Sequence, residues 1–135
     1  MKIVIDTAVV ISAFFFGGRP RQVLDAVMRG KAAAYAAREI VEEYEAVVAK
    51  MKAETPAPLR PNLLLPFTSR LHIVEPKPHK KLCRTPGDDK FLACALTANA
   101  FYIINAGKKI SPLAPFRPFK TMTVDGFCQL LTLCK

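Results

Sequence analysis

The first thirteen residues, MKIVIDTAVVISA, constrain the fold more than any other segment of the chain. A β-branched run at residues 3–5 ends at Asp6 and is followed at once by a second apolar segment. A short strand that leads directly into a helix is typical of a parallel sheet, whose ligands bind at the carboxyl ends of the strands. Asp6 is therefore a candidate site residue, although aspartate at such a junction also serves as a helix N-cap.

Strand and helix patterns alternate along the rest of the chain. We predict strands at residues 2–5, 32–36, 72–75, 101–105 and 119–123, and helices at 9–16, 20–28, 38–52, 85–99 and 125–133. Prolines at 56, 58, 61 and 66 predict a surface connection over 54–66. This order predicts a three-layer α/β/α sandwich with a mostly parallel central sheet, formed by residues 1–135 as a single domain.

The composition indicates a cytoplasmic protein. The chain is 51% hydrophobic, yet no run approaches the roughly 20 apolar residues that a membrane span needs. The start MKIVID lacks the basic and long apolar regions of a signal peptide. The spacing of the cysteines fits no zinc motif, so we expect reduced, partly buried thiols at positions 83, 94, 128 and 134.

The charge of the chain points to a polyanionic partner. The formal net charge is +9, and basic residues cluster at 19–31, 77–84 and 108–120. A strongly basic domain of this size favours nucleic acid as the partner, although charge alone specifies no chemistry.

Acidic side chains at two later positions are further site candidates. On the helix predicted at 38–52, Glu42 points away from the apolar stripe, whereas Glu43 and Glu45 flank the stripe on either side. Helical periodicity leaves Glu43 and Glu45 equally open, and a solvated helix face accounts for either of them.

A pair of aspartates opens the helix predicted at 85–99. Thr85, Pro86 and Asp88 fit the N-cap, N1 and N3 positions, so Asp88 is explained by helix capping. Asp89 shares a face with the apolar residues at 92, 93 and 96, which turns its carboxylate toward the sheet. A carboxylate beside apolar surface is costly unless it is paired or binds a metal.

The motifs, taken together, are similar to those of a known family. They are Val4-Ile5-Asp6-Thr7, Ile11-Ser12-Ala13 before Gly17-Gly18, the helix around Glu43, Asp88-Asp89-Lys90-Phe91-Leu92-Ala93 and Ala100-Phe101-Tyr102-Ile103-Ile104. In this order and spacing the chain resembles a PIN domain, in particular the bacterial and archaeal group of toxins from toxin–antitoxin pairs. The resemblance spans the whole chain, with a shortened middle around residues 53–70.

The resemblance implies a metal-dependent endoribonuclease whose acidic residues hold Mg²⁺ or Mn²⁺ to activate water. It implies Asp6 as the central ligand, selects Glu43 over Glu45, and adds Asp89, with Asp88 as a neighbouring acid. We expect RNA as the substrate, an antitoxin protein as a partner, no membrane association and a homodimer. The residues that we expect to contact the substrate are Ser12, Arg84, Lys108 and Lys109.

The chain departs from the family pattern at the fourth acid. Gly107 stands where the family places its fourth carboxylate, and Lys108 and Lys109 follow it. Asn105 offers an uncharged oxygen that cannot replace this negative charge. The family's Asp-Thr-Asn is also Asp-Thr-Ala here, and its Arg-Asp-Pro is Arg-Thr-Pro.

Two functions therefore stay open. One is a PIN-type ribonuclease with weak activity, and the other is an inactive PIN-fold protein that binds RNA or an antitoxin. A third interpretation, a phosphate-binding α/β module, is disfavoured because Gly17-Gly18 follows a helix instead of opening one.

Overall fold

A single parallel sheet organises the molecule. The computed structural model describes residues 1–54, 64–76, 86–106 and 120–133. Within these ranges the five strands are β1 Lys2–Ile5, β2 Ala33–Ala36, β3 His72–Ile73, β4 Tyr102–Asn105 and β5 Lys120–Thr123. Their order is β3-β2-β1-β4-β5, and every neighbouring pair is parallel. The predicted parallel sheet is confirmed.

Helices cover both faces of this sheet. In the described ranges they are α1 Thr7–Phe15, α2 Gly18–Met28, α3 Arg38–Glu54, α4 Leu64–Thr68, α5 Asp89–Ala98 and α6 Val124–Leu133. Successive residues of a strand point to opposite faces, and Ile3, Val4 and Ile5 of the central strand are all buried. Both faces are therefore packed, as the predicted three-layer α/β sandwich requires.

Strand register fixes which residues meet at the carboxyl edge of the sheet. Ile5 of β1 pairs with Ile104 of β4. The backbone amide of Asp6 then donates a hydrogen bond to the Ile104 carbonyl over 2.9 Å. Asp6 therefore comes level with Asn105, the last residue of β4, at one edge of the sheet.

The junction between α1 and α2 depends on two glycines. Gly17 and Gly18 have φ angles of 70° and 64°, a backbone conformation that residues with a Cβ rarely adopt. The predicted end of the first helix at Gly17-Gly18 is confirmed.

Two local predictions need correction. The residues Pro86–Asp88 form a 3₁₀ turn, so α5 begins at Asp89 and not at the predicted N-cap Thr85, which lies outside the described residues. Pro66 lies inside the short helix α4, near its start, where its missing N–H group removes no helical hydrogen bond. The rest of the predicted connection at 54–66, residues 55–63, falls outside the described ranges.

Two further predictions concern thiols and membranes. Cys94 is buried and Cys128 is half-buried, and both are free thiols; Cys83 and Cys134 lie outside the described residues. Across the described ranges, none of the helices combines the length and the apolar character needed to span a bilayer.

Candidate active site

Asp6 lies where β1 passes into α1. It occupies the N-cap position with extended backbone angles, and its carbonyl accepts a hydrogen bond from the Val9 amide at 3.0 Å. Within the described chain, its carboxylate makes no capping hydrogen bond to α1. Helix capping therefore does not account for an acidic side chain at this position.

Glu43 is the half-buried glutamate of α3, whereas Glu42 and Glu45 are exposed. The Thr7 hydroxyl donates a hydrogen bond to Glu43 Oε2. On the other side, Lys90 Nζ lies 2.9 Å from Glu43 Oε1. Glu43 thus contacts the residue after Asp6 and the residue after Asp89. These contacts distinguish Glu43 from Glu45, which helical periodicity could not do.

Tyr44, the next residue on α3, ties this helix to the end of β1. The side chain is fully buried, and its hydroxyl donates a hydrogen bond to the Ile5 carbonyl. Burial raises the pKa of the Tyr44 phenol well above its ordinary value, and the charges of Cys94, Asp6 and Glu43 act in the same direction. The phenol stays protonated and keeps donating to the strand that carries Asp6.

The two aspartates at the start of α5 differ in exposure in a way that the sequence did not predict. Asp88 is 4% exposed, whereas Asp89 is only half-buried. The reason is the 3₁₀ turn, which places Asp88 at the N-cap of α5 and moves Asp89 into its first turn. Asp88 is therefore the more buried carboxylate, although the resemblance assigns it the lesser role.

The other predicted site residues are only partly described. Asn105 is 4% exposed at the end of β4, level with Asp6. Ser12 is half-buried in the second half of α1, about 9 Å along the helix from Asp6 at a rise of 1.5 Å per residue. Its contact with substrate stays a prediction. The predictions for Arg84, Gly107, Lys108 and Lys109 lie outside the described residues.

The donor chemistry of this edge suits a hard divalent cation, because carboxylate and amide oxygens are the ligands that Mg²⁺ and Mn²⁺ prefer. The described donors are not spaced like the ligands of a metal site. Among residues 1–54, 64–76, 86–106 and 120–133, no three His, Cys, Asp or Glu side chains are grouped as a metal site would need. The Glu43 carboxylate is engaged by Thr7 and Lys90 instead.

Three further residues shape this site, and the sequence did not predict a role for them: Thr7, Tyr44 and Lys90. Thr7 and Lys90 each follow a candidate aspartate directly, and this adjacency is the one sequence signal that marks them. Tyr44 lies on the apolar stripe of α3, and its hydroxyl group is the one sequence signal of a hydrogen bond there. Their partners come from distant parts of the chain, so periodicity does not reveal them.

Comparison with known families agrees with this architecture. The family model described as PIN domain matches residues 2–108. No curated protein and no solved structure gives a significant match to the chain. PIN domains have a nuclease-type fold and generally depend on divalent metals. The match covers β1 through β4 and every candidate carboxylate, and it shows that this chain belongs to the PIN domain family.

Proposed function

We propose that this chain is a metal-dependent endoribonuclease of the PIN type with weak activity. The observation that carries the proposal is the position of Glu43, which contacts both Thr7 beside Asp6 and Lys90 beside Asp89. Glu43 thus contacts direct neighbours of Asp6 and of Asp89, two segments far from it in sequence. Family membership supports nuclease chemistry at this edge.

Asp6, Glu43 and Asp89 are the residues that would hold Mg²⁺ or Mn²⁺, with Asp88 as a neighbouring acid. When bound, the ion supplies an activated water for attack on a phosphodiester. The chain positions these groups through its backbone and its buried hydroxyls. Tyr44 holds the end of β1 through the Ile5 carbonyl, and Thr7 orients the carboxylate of Glu43.

RNA is the proposed substrate. The net charge of +9 favours a polyanion, since phosphate contacts from lysine and arginine dominate nucleic-acid affinity. We assign substrate contacts to Ser12, Arg84, Lys108 and Lys109. The resemblance to toxins of toxin–antitoxin pairs adds two proposals, a homodimer and an antitoxin protein as partner.

Cleavage of an unstructured, end-labelled RNA tests this function. We expect slow cleavage in Mg²⁺ or Mn²⁺ that stops with a chelator and is lost in Asp6→Asn. The matched control is Glu45→Gln, because Glu45 is an exposed glutamate two residues from Glu43 on the same helix. Cleavage that survives in Asp6→Asn would show that this edge of the sheet is not the active site.

The second candidate function is an inactive PIN-fold protein that binds RNA or an antitoxin. Two observations favour it: Gly107 replaces the fourth acid, and Lys90 already neutralises Glu43. If the wild-type protein binds RNA but does not cleave it in either metal, this second function is the correct one.

A further inference from the structure

Lys90 is a cation that contacts the carboxylate of Glu43. It lies in the first turn of α5, and its ammonium is 2.9 Å from Glu43 Oε1. The same ammonium donates a hydrogen bond to the Gly87 carbonyl over 2.7 Å. The side chain of Lys90 is 15% exposed and that of Glu43 is 32% exposed, so water screens this pair less than an ion pair on the open surface.

The contacts of Lys90 and Thr7 together occupy both oxygens of the Glu43 carboxylate. A divalent cation and an ammonium compete for the same carboxylate oxygen, because each is stabilised by its negative charge. The Thr7 hydroxyl is a neutral donor, so it orients the carboxylate without offsetting its charge. Lys90 is therefore the contact that opposes recruitment of Glu43 by a metal ion.

We propose that Lys90 is a built-in counter-ion of Glu43, which a divalent cation must displace before Glu43 becomes a metal ligand. This inference rests on the proposed metal-dependent function of the same site. In the described part of the chain no three potential metal ligands are grouped, and Glu43 is paired with Lys90. In this account Lys90 is a positioning residue that sets metal affinity.

Removing the charge of Lys90 should change the metal affinity by a modest factor. A partly screened ion pair contributes up to about 1 kcal/mol, so removing the ammonium should tighten metal binding by roughly fivefold. The ammonium also ties the 3₁₀ turn to α5 through Gly87. A test must therefore separate the charge of Lys90 from this second contact.

Calorimetric titration with Mn²⁺ alone on the full chain separates the two roles. Lys90→Met removes both the charge and the hydrogen bond to Gly87, whereas Lys90→Gln removes the charge and keeps an amide donor. The control for net charge is Lys50→Met, because Lys50 is exposed on α3. We expect both Lys90 variants to bind Mn²⁺ about fivefold more tightly than wild type, and Lys50→Met to bind like wild type.

A second readout uses stability. Saturating Mn²⁺ should raise the Tm of both Lys90 variants by more than it raises the wild-type Tm, because tighter binding to the folded state stabilises it further. Equal or weaker Mn²⁺ binding in both Lys90 variants overturns the proposal. Tighter binding in Lys90→Gln with weaker binding in Lys90→Met also supports it, since only the tie to Gly87 differs.

Titration of Asp6→Asn with Mn²⁺ distinguishes an incorrect role for Lys90 from an incorrect metal site. If Asp6→Asn abolishes Mn²⁺ binding while the Lys90 variants match wild type, the metal site stands and the counter-ion role is wrong. If Asp6→Asn binds Mn²⁺ like wild type, the proposed metal site is wrong, and the counter-ion role of Lys90 is wrong as well.

Discussion

The hydroxyl of Thr7, the first residue of α1, donates a hydrogen bond to the carboxylate of Glu43 on α3. Thr7 is buried, and it directly follows Asp6 at the end of β1. This contact joins the start of the first helix to the third helix. It orients the half-buried glutamate of α3.

Replacing Thr7 tests this orientation. Thr7→Val keeps the shape of the side chain and removes the donor, so we expect a loss of about 1–2 kcal/mol in the free energy of unfolding. Mn²⁺ binding should also weaken, because the carboxylate loses a contact that orients it. Urea unfolding and calorimetry measure the two effects. Thr7→Ser keeps the hydroxyl and should stay close to wild type in both; equal losses in Ser and Val variants would argue against the hydrogen bond.

Tyr44 offers a second test, of stability alone. Tyr44→Phe removes the buried hydroxyl that donates to the Ile5 carbonyl, and we expect it to lower the free energy of unfolding by about 1–2 kcal/mol. Tyr35→Phe is the matched control, because Tyr35 is a half-buried tyrosine on β2 whose ring stacks against His72. Its effect should stay below about 0.5 kcal/mol. Similar values for the two variants in urea unfolding would contradict a structural role for the Tyr44 hydroxyl.

Cys94 makes stability depend on pH in the alkaline range. Burial raises the pKa of this thiol from 9.0 to about 12. Between these two values the unfolded chain releases a proton that the folded protein retains, so the stabilisation present below pH 9.0 is lost as the pH rises toward 12. Relative to Cys94→Ala, the wild-type protein should lose on the order of 1 kcal/mol per pH unit in this window.

Urea unfolding of both proteins at pH 8 and pH 10.5 measures this difference. The Cys94→Ala variant corrects for the other groups that titrate in the same range. Parallel pH profiles for the two proteins would show that the Cys94 thiol is not protected from ionisation by the fold.

Gly107 tests the effect of the missing acid. Gly107→Asp supplies the fourth carboxylate that the resemblance implies at this position, so we expect stronger Mn²⁺ binding and faster RNA cleavage. Adding Asp6→Asn to this variant should abolish both. If the wild-type protein already binds Mn²⁺ at micromolar concentrations and Gly107→Asp adds nothing, the fourth acid is dispensable in this chain.

Much of the fold follows from the sequence because local patterns determine it. The β-branched run at 3–5 and the apolar stripe of α3 each reflect burial on a fixed period, so strand and helix order could be predicted. The start of α5 could not be predicted, because residues Pro86–Asp88 form a 3₁₀ turn although their sequence also fits the first turn of an α-helix. This turn also buries Asp88 more deeply than Asp89.

The site was less predictable than the fold. Asp6 could be found from the end of a strand, since strand ends meet at one edge of a parallel sheet. Glu43 and Glu45 are equivalent by helical period, and only the crossing of α3 near Thr7 and Lys90 separates them. Such contacts join residues more than thirty positions apart, as with Thr7 and Glu43, and no local pattern encodes them.

Calorimetric titration with Mn²⁺ tests the proposal that Asp6, Glu43 and Asp89 form one divalent metal site. We predict that Asp6→Asn, Glu43→Gln and Asp89→Asn each weaken Mn²⁺ binding by at least about tenfold, while Glu45→Gln binds like wild type. Two results would contradict a shared metal site. One is Mn²⁺ binding in Glu43→Gln that equals wild type, and the other is a loss of binding in Glu45→Gln as large as that in Glu43→Gln.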